Sequence, residues 1–330
     1  APAPAATAAP TKAWPSRAAT MGTNSWPGAT SRESNEAPST STSGPVRRPP
    51  TAAAASDTRI LTGQHGTVAF MDRIHLGVLF GGQSAEHDVS CVTATHVLRA
   101  IDPARYRVTP IGISTEGHWA LADGAREALA AGPGALPDRL DPHGSSITPT
   151  AALGGDEQPG EITVVMPLLH GPMGEDGTVQ GLLELADVAY VGSGVLGSSV
   201  GMDKALAKQV LAANGIPQAR ARSFLEHERT PGLPGQLAHD LGLPCFVKPS
   251  NMGSSVGVSK AHSVEELRDA IDHALTYDEV VVVEEAVDGR EIEVAVLGGT
   301  DPEASGAGEI VPSAEFYDYD DKYVTDGAQL

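Results

Sequence analysis

The stretch Cys245-Phe-Val-Lys-Pro-Ser-Asn-Met-Gly-Ser-Ser-Val-Gly-Val-Ser-Lys260 decides how this chain is read. Phe246, Val247, Val256 and Val258 are β-formers, and the residues between them are too small and polar to pack. The run therefore predicts strand, glycine–serine loop, strand. Gly253 and Gly257 let backbone approach a ligand closely. The N–H groups of such a loop, with the hydroxyls of Ser254 and Ser255, suit phosphate oxygens. Lys248 stands at the loop's entrance, where its charge would meet the same anion. An ordinary hairpin with a long loop fits the same residues, and the flanking segments decide between the two.

On the carboxyl side, Ser263-Val-Glu-Glu266 is a capping box and starts a helix to about Leu275. Glu279-Val-Val-Val-Val283 is an apolar strand that runs into Glu284-Glu285-Ala-Val-Asp-Gly-Arg-Glu291. Such an ending could set an adenine against the strand edge, with a carboxylate on the ribose hydroxyls. A strand that has reached solvent explains the acids equally well. On the amino side, Met202-Asp-Lys204 opens a helix to Asn214, which Gly215 and Pro217 end. Lys204 at a helix start opposes the helix dipole unless an anion is bound there. A solvated surface lysine is the other reading.

Further toward the amino end, Ile74–Phe80 reads as a buried strand and Gly81-Gly82-Gln83-Ser84 as a turn into a helix. Ser84 is read as its cap, and the helix as running to Ile101 with Val89, Val92, Leu98 and Ile101 on one side. Strand, glycine turn, helix begins an open α/β sheet, where ligands bind at the carboxyl ends of strands. Glu86 stands at such an end, although an acid there also complements the helix dipole. Tyr106–Ile113 is a second strand, and 123–160 reads as an insertion or long surface connection. Glu161–Met166 is a third strand, followed by a glycine-dense run that holds His170, Glu175 and Asp176. A run so rich in glycine is hard to explain as packing.

Composition sets the outer limits. The chain has 330 residues, enough for two or three domains, and 41% are hydrophobic, so a sizeable core is available. A formal net charge of -20 argues against a nucleic-acid surface. Cys91 and Cys245 make no disulfide framework and read as small buried thiols. No 18-residue apolar run suggests a membrane span. Residues 1–70, rich in Ala, Pro, Ser and Thr, read as a disordered leader, with folding expected from near Met71.

Together these segments resemble the D-alanine–D-alanine ligases of the ATP-grasp superfamily, over about residues 74–330. The resemblance rests on five runs in order. They are Gly81-Gly-Gln-Ser-Ala-Glu-His-Asp-Val-Ser90, His170-Gly-Pro-Met-Gly-Glu-Asp-Gly177, Met202-Asp-Lys204, Lys248-Pro to Gly253-Ser-Ser-Val-Gly257, and Phe316-Tyr-Asp-Tyr-Asp-Asp-Lys-Tyr323. Asp88 stands where the family's glutamate is expected. The implied fold class is α/β, with an N-terminal open parallel α/β (pre-ATP-grasp) domain followed by an incomplete ATP-grasp fold. The implied divisions are a leader at 1–70, a substrate domain at 71–192, a central subdomain at 193–286 and the start of a C-terminal subdomain at 287–330.

The resemblance also implies an activity. ATP phosphorylates a first D-alanine, and the amine of a second attacks the D-alanyl phosphate, giving D-alanyl-D-alanine for peptidoglycan. ATP and Mg2+ (or Mn2+) are the implied cofactors, the location is cytoplasmic without membrane or nucleic acid, and a homodimer is compatible. By motif, Glu86 holds the first D-alanine's ammonium, and Ser254 and Tyr323 complete a hydrogen-bonded group with it. His170 lines the same site. Lys204, Lys248 and Lys322 neutralise phosphates under the loop around Ser255. Glu284 and the backbone of Glu285, Ala286 and Val287 meet adenine, and Glu291 meets ribose. The polar, tyrosine-rich stretch 318–329 is a candidate lid. Family members continue beyond the position of Leu330 with the magnesium ligands, so the resemblance implies an inactive fragment with exposed strand edges. Two rival readings are another ATP-grasp carboxylate–amine ligase and a non-catalytic nucleotide-binding remnant. A dinucleotide dehydrogenase is disfavoured, because Gly81-Gly82-Gln83-Ser84 lacks the Gly-x-Gly-x-x-Gly pattern.

Overall fold

The computed structural model describes residues 73–154, 162, 164–299 and 301–312, all in one compact unit. β1 (Ile74–Gly81) is buried along all but its first residue. That is the signature of a parallel strand covered on both faces. α1 (His87–Ala100) follows it, and then β2 (Tyr106–Ile113), which pairs parallel with β1 in register Ile74↔Tyr106. β3 (Trp119–Leu121), α2 (Asp123–Ala131), β4 (Ser145–Ser146) and α3 (Pro149–Gly154) lead to β5 (Val164–Pro167). The sheet order is β4-β3-β2-β1-β5, parallel through β2, β1 and β5 and antiparallel at the β3–β4 edge.

Two cores cover the faces of this sheet. Leu76, Val78 and Phe80 pack with Cys91, Ala94 and Leu98 of α1. Leu79, Ile111 and Val165 pack on the other face with Leu153, and with Val179 and Leu183 of α4 (Thr178–Leu185). Two sequence expectations change here. Helix α1 starts at His87, and Ser84 sits in the preceding turn, where its Oγ accepts from the Glu86 N–H. The face of α1 that is buried carries His87, Ser90, Cys91, Ala94, Thr95 and Leu98, while Val92 is exposed. Small residues won this face because they let the helix approach the glycine turn: Ser90 Oγ accepts from Gly81 N–H at 2.8 Å and donates to Leu168 O at 2.5 Å. The second correction concerns 123–160. Its described part is packed, with Ala125, Leu136 and Leu140 in one core and Ala152 and Leu153 in the other.

α5 (Val195–Met202) and α6 (Lys204–Ala213) lead to the second sheet. β6 (Ala221–Leu225), α7 (Leu233–Leu241), β7 (Cys245–Pro249), β8 (Ser259–Ala261), α8 (Val264–Ala274) and β9 (Val280–Glu285) follow. The strands lie in the order β6-β9-β7-β8, every pair antiparallel. The period-two alternation of β7 sorts its side chains. Cys245 and Val247 face a core with Val281, Val283, Leu267 and Ile271, beneath α7 and α8. Phe246 and Lys248 point the other way, opposite Glu284 and Val282. Ser263 caps α8 as expected, accepting from the Glu266 N–H, while the Glu266 carboxylate reaches back to the His262 N–H. Val256 and Val258 lie in the loop rather than in a strand. β9, read from the sequence as an apolar strand, is the second strand of the sheet, with Val281–Val283 buried. Four short strands end the described chain: β10 (Glu291–Glu293), β11 (Val296–Leu297), β12 (Glu303–Ala304) and β13 (Gly308–Ile310). Among the described residues no helix is long and apolar enough to cross a membrane.

Two glycines separate packing from propensity. A Cβ on Gly112 of β2 would sit 2.0 Å from the carbonyl oxygen of Pro142, whereas Gly181 within α4 has nothing within 4 Å. Gly112→Ala is expected to destabilise the fold by about 1–3 kcal/mol through overpacking. Gly181→Ala is expected to stabilise it by roughly 0.5–1 kcal/mol through helix propensity. Urea midpoints check both, and shifts of the same sign would refute this placement of the 142 segment on β2.

Candidate functional site

The carboxyl ends of β1 and β5 are neighbours, so the loops after them meet. Ser84 Oγ donates to His170 O at 2.6 Å, and His170 Nε2 lies 3.1 Å from Thr93 Oγ1 on α1. Glu86, only 2% exposed, lies between these loops and the glycine–serine loop of the second sheet. Ser254 Oγ donates to its Oε1. Its Oε2 is buried and, among the described residues, has no hydrogen-bond partner. A buried ionised oxygen without a partner is expensive, so a donor is expected there. Two glycines make the room: a Cβ on Gly171 would lie 2.2 Å from Oε2, and one on Gly253 3.0 Å from it. Ser254 and Ser255 hold left-handed backbone with φ of 47° and 60°, a strain that persists where the surroundings impose it. His170 also lines a separate cavity of about 180 Å³ with Gln83, Leu169 and Met173.

Beside Glu86 opens a cavity of about 510 Å³ over the outward face of the second sheet. Lys204, Lys248, Ser254, Ser255, Glu284, Glu285, Val287 and Glu291 all line it. Two helical and strand elements set the lysines. Asp203 caps α6 through the Leu206 N–H at 2.9 Å and accepts from Ser250 Oγ at 2.6 Å. Ser250 Oγ in turn accepts from the Ala205 N–H at 3.1 Å. The first residue of α6 is thus tied to the end of β7, and Lys204 Nζ reaches the carbonyls of Met252 and Ser250. Burial, and then the nearby Lys248 ammonium, push the Lys204 pKa below its ordinary value. Lys248 Nζ donates to Glu284 Oε2 at 2.6 Å, and Lys208 Nζ lies 3.1 Å from Glu284 Oε1. Burial alone would raise the Glu284 carboxyl, but the Lys248 and Lys208 ammoniums outweigh it and hold it below the usual glutamate range.

Two ammonium groups therefore hold the largely buried Glu284 carboxylate, with the Lys204 ammonium close to that of Lys248, a concentration of positive charge that suits a polyanion. The other end of the cavity is acidic, with Glu291 and Glu293 exposed on its rim. Glu285 lines the wall, but its carboxylate is held by Arg220 through the Arg220 N–H and Nε at 2.7 and 2.6 Å. The N–H groups of Glu285 and Ala286 are already engaged, with Arg220 O at 3.0 Å and Pro244 O at 3.2 Å, and Ala286 does not line the cavity. Among the described residues no three His, Cys, Asp or Glu side chains converge to hold a metal ion. Lys322 and Tyr323 lie outside the described residues, as does the 318–329 stretch. Sequence reasoning missed Phe246, which lies 5.8 Å beneath Lys248 Nζ and 5.6 Å from Lys260 Nζ, although its alternation with Val247 placed it on this face. It also missed Lys208, one helical turn after Lys204, and the fully buried Ser250.

The family model described as D-ala D-ala ligase N-terminus matches residues 75–193, and the one described as D-ala D-ala ligase C-terminus matches 210–330. A D-alanine–D-alanine ligase of Bacillus pumilus (strain SAFR-032) is 47% identical over 262 residues, covering 76% of this chain and 71% of that protein. The corresponding ligase of Acetivibrio thermocellus is 44% identical over 278 residues, covering 78% and 74%. Among solved structures, the D-alanine–D-alanine ligase of Coxiella burnetii superposes with a TM-score of 0.63 at 35% identity, over 72% of this chain and 71% of that one. The VanG D-Ala:D-Ser ligase of Enterococcus faecalis also superposes at 0.63, with 32% identity over 78% and 75%. The chain belongs to the D-alanine–D-alanine ligase family.

Proposed function

We propose that this chain serves the ATP-dependent joining of two D-alanines through D-alanyl phosphate, supplying the dipeptide for peptidoglycan in the cytoplasm. The observation that carries the reading is Glu86: one oxygen held by Ser254, the other buried and, among the described residues, without a partner. An amino-acid ammonium brings three donors and a positive charge, so it fits that oxygen in both respects. The cavity lined by Lys204 and Lys248, reached through the same Ser254 loop, suits a triphosphate, so carboxylate and phosphoryl donor would lie side by side.

Each residue then has a role. Glu86 and the His170 loop orient the first D-alanine, and Ser254 keeps the Glu86 carboxylate in place. Lys204 and Lys248 neutralise phosphate charge, with Ser255 over them. Glu284 and Val287 meet adenine, and Glu291 meets the ribose. Transfer of a phosphoryl group asks for such positioning and electrostatic stabilisation rather than for a protein nucleophile. An acyl phosphate must also be kept from water. The 318–329 stretch, with Lys322 and Tyr323, is the sequence-based candidate for that cover. No step is assigned to a divalent ion, because the described residues offer no ligand group for one. D-serine as second substrate is the alternative that the VanG resemblance favours.

The direct test is phosphate release from ATP and magnesium on adding D-alanine, with D-serine and L-alanine in parallel. Release with D-alanine supports the reading, and silence with every amino acid sinks it. Glu86→Gln keeps the volume and removes the charge. Losing one partner of a buried charged pair costs about 2–5 kcal/mol. D-alanine affinity, read from the thermal shift with a non-hydrolysable ATP analogue present, is therefore expected to fall by at least ~30-fold, with affinity for the analogue little changed.

The lowered pKa of Lys204 gives a second expectation. In the empty fold, burial penalises the charged ammonium, and this penalty eases as pH rises through the folded-state value toward the ordinary 10.5. A bound polyphosphate restores the charged form, so nucleotide affinity is expected to fall as pH rises through that window. Lys204→Arg stays charged and is expected to flatten the alkaline fall. Calorimetric titration of ATP from neutral to alkaline pH reads it, and identical profiles for both proteins would refute it.

A further inference from the structure

α6 turns two lysines toward the second sheet, one turn apart, and only Lys204 has a place in the scheme above. Lys208 does not line the cavity of about 510 Å³. It stands on the far side of Glu284, in a cleft of about 320 Å³ that it shares with Gln218, Ala219 and Arg220. Its Nζ lies 3.1 Å from Glu284 Oε1 and donates to Ala219 O at 3.3 Å. Its backbone oxygen accepts from Gln218 Nε2 at 2.8 Å. The side chains of Lys208 and Glu284 are 20% and 13% exposed, so the pair is largely out of water. Whatever Lys208 does for a ligand in the larger cavity, it does through Glu284.

The two oxygens of Glu284 have different neighbours. Oε1 belongs to Lys208, behind the cavity, and Oε2 belongs to Lys248, which lines it. A polyphosphate in the cavity would compete with Oε2 for the Lys248 ammonium. A carboxylate with Lys248 as its only cation would then be left buried and unpaired, and would take up a proton or turn away. Lys208 prevents both, so Oε2 remains an ionised acceptor at a fixed point. An ionised carboxylate only accepts hydrogen bonds. It therefore selects a base edge that carries an amino group and repels one that carries a keto oxygen.

We propose that Lys208 is a positioning residue which holds Glu284 so that its Oε2 exchanges Lys248 for the 6-amino group of a purine, giving the site its preference for 6-amino over 6-oxo nucleotides. This rests on the nucleotide reading of the cavity. The test is calorimetric binding of ATP and ITP to the 330-residue chain and to Lys208→Met, Lys208→Gln and Lys208→Arg. The unaltered chain is expected to bind ATP at least about tenfold more tightly than ITP, because a site built to accept a hydrogen bond rejects a ligand without the donor. Lys208→Met and Lys208→Gln are expected to lose most of that ratio, mainly through weaker ATP binding, and Lys208→Arg to recover it.

A merely structural role would weaken both nucleotides alike, and equal losses overturn the proposal. So does an unchanged ratio in the uncharged variants. Reductive methylation of the unaltered chain gives a reading that depends on no variant. Lys208 is expected to react slowly with and without ATP, and fast labelling once ATP is bound overturns the proposal. If the unaltered chain binds neither nucleotide, the cavity reading falls and takes this proposal with it. Binding with the ratio intact in Lys208→Gln removes the Lys208 proposal alone.

Discussion

The structure turns on one buried carboxylate. Glu86 is contributed by the turn after β1, and Ser254, its partner, comes 168 residues later from the loop between β7 and β8. For the two to meet, the loops from both sheets must close on a point with no room for a side chain. Gly171 and Gly253 supply that room, since a Cβ at either would crowd Glu86 Oε2. Three of the five sequence runs that carry the family resemblance thus converge on a single group. Their spacing in the chain reflects the fold's need to bring a charge, a hydroxyl and two bare backbones together.

The second constraint is electrostatic. A chain with a formal charge of -20 repels polyanions at long range. Attraction must therefore be concentrated where the ligand sits. Lys204, Lys208 and Lys248 achieve this around the largely buried Glu284, while Glu285 is occupied by Arg220. The cluster also explains an apparent conflict in α6. A lysine at a helix start is unfavourable on its own, yet Lys204 is fixed there by carbonyls of the 250–252 loop. Fold stability is given up locally to keep a cation where an anion will need it.

The sequence was legible where physical periodicity was strong. The alternation Cys245-Phe-Val-Lys-Pro249 separated core from cavity face, and β2 ran from Tyr106 to Ile113 as read. The Ser263 cap and the stop at Gly215 followed from local chemistry. The reading failed where small residues did the packing. Ala125, Ala152 and Leu153 lie in a segment whose glycines and prolines suggested a surface connection, and the Ser90–Cys91–Ala94 face of α1 was passed over for larger valines. Site residues that touch a ligand stood out as glycine, serine and lysine clusters. Those that act behind them did not, because Lys208 and Ser250 look ordinary until a helix and a strand are placed side by side.

Ser250 shows why such residues matter. Fully buried, it donates to Asp203 and accepts from Ala205, while its own N–H bonds Val280 O at 2.9 Å and its carbonyl accepts from the Lys204 N–H at 3.0 Å. One serine therefore joins α6, β7 and β9, the three elements that present Lys204, Lys248 and Glu284. Charged groups this close and this dry are useful only if they cannot relax toward one another. Hydrogen bonds that fix all three backbones supply that rigidity. Any motion needed to admit and cover substrates must then come from segments outside this triangle, and the strained Ser254–Ser255 turn, which touches both the cavity and Glu86, is its nearest neighbour.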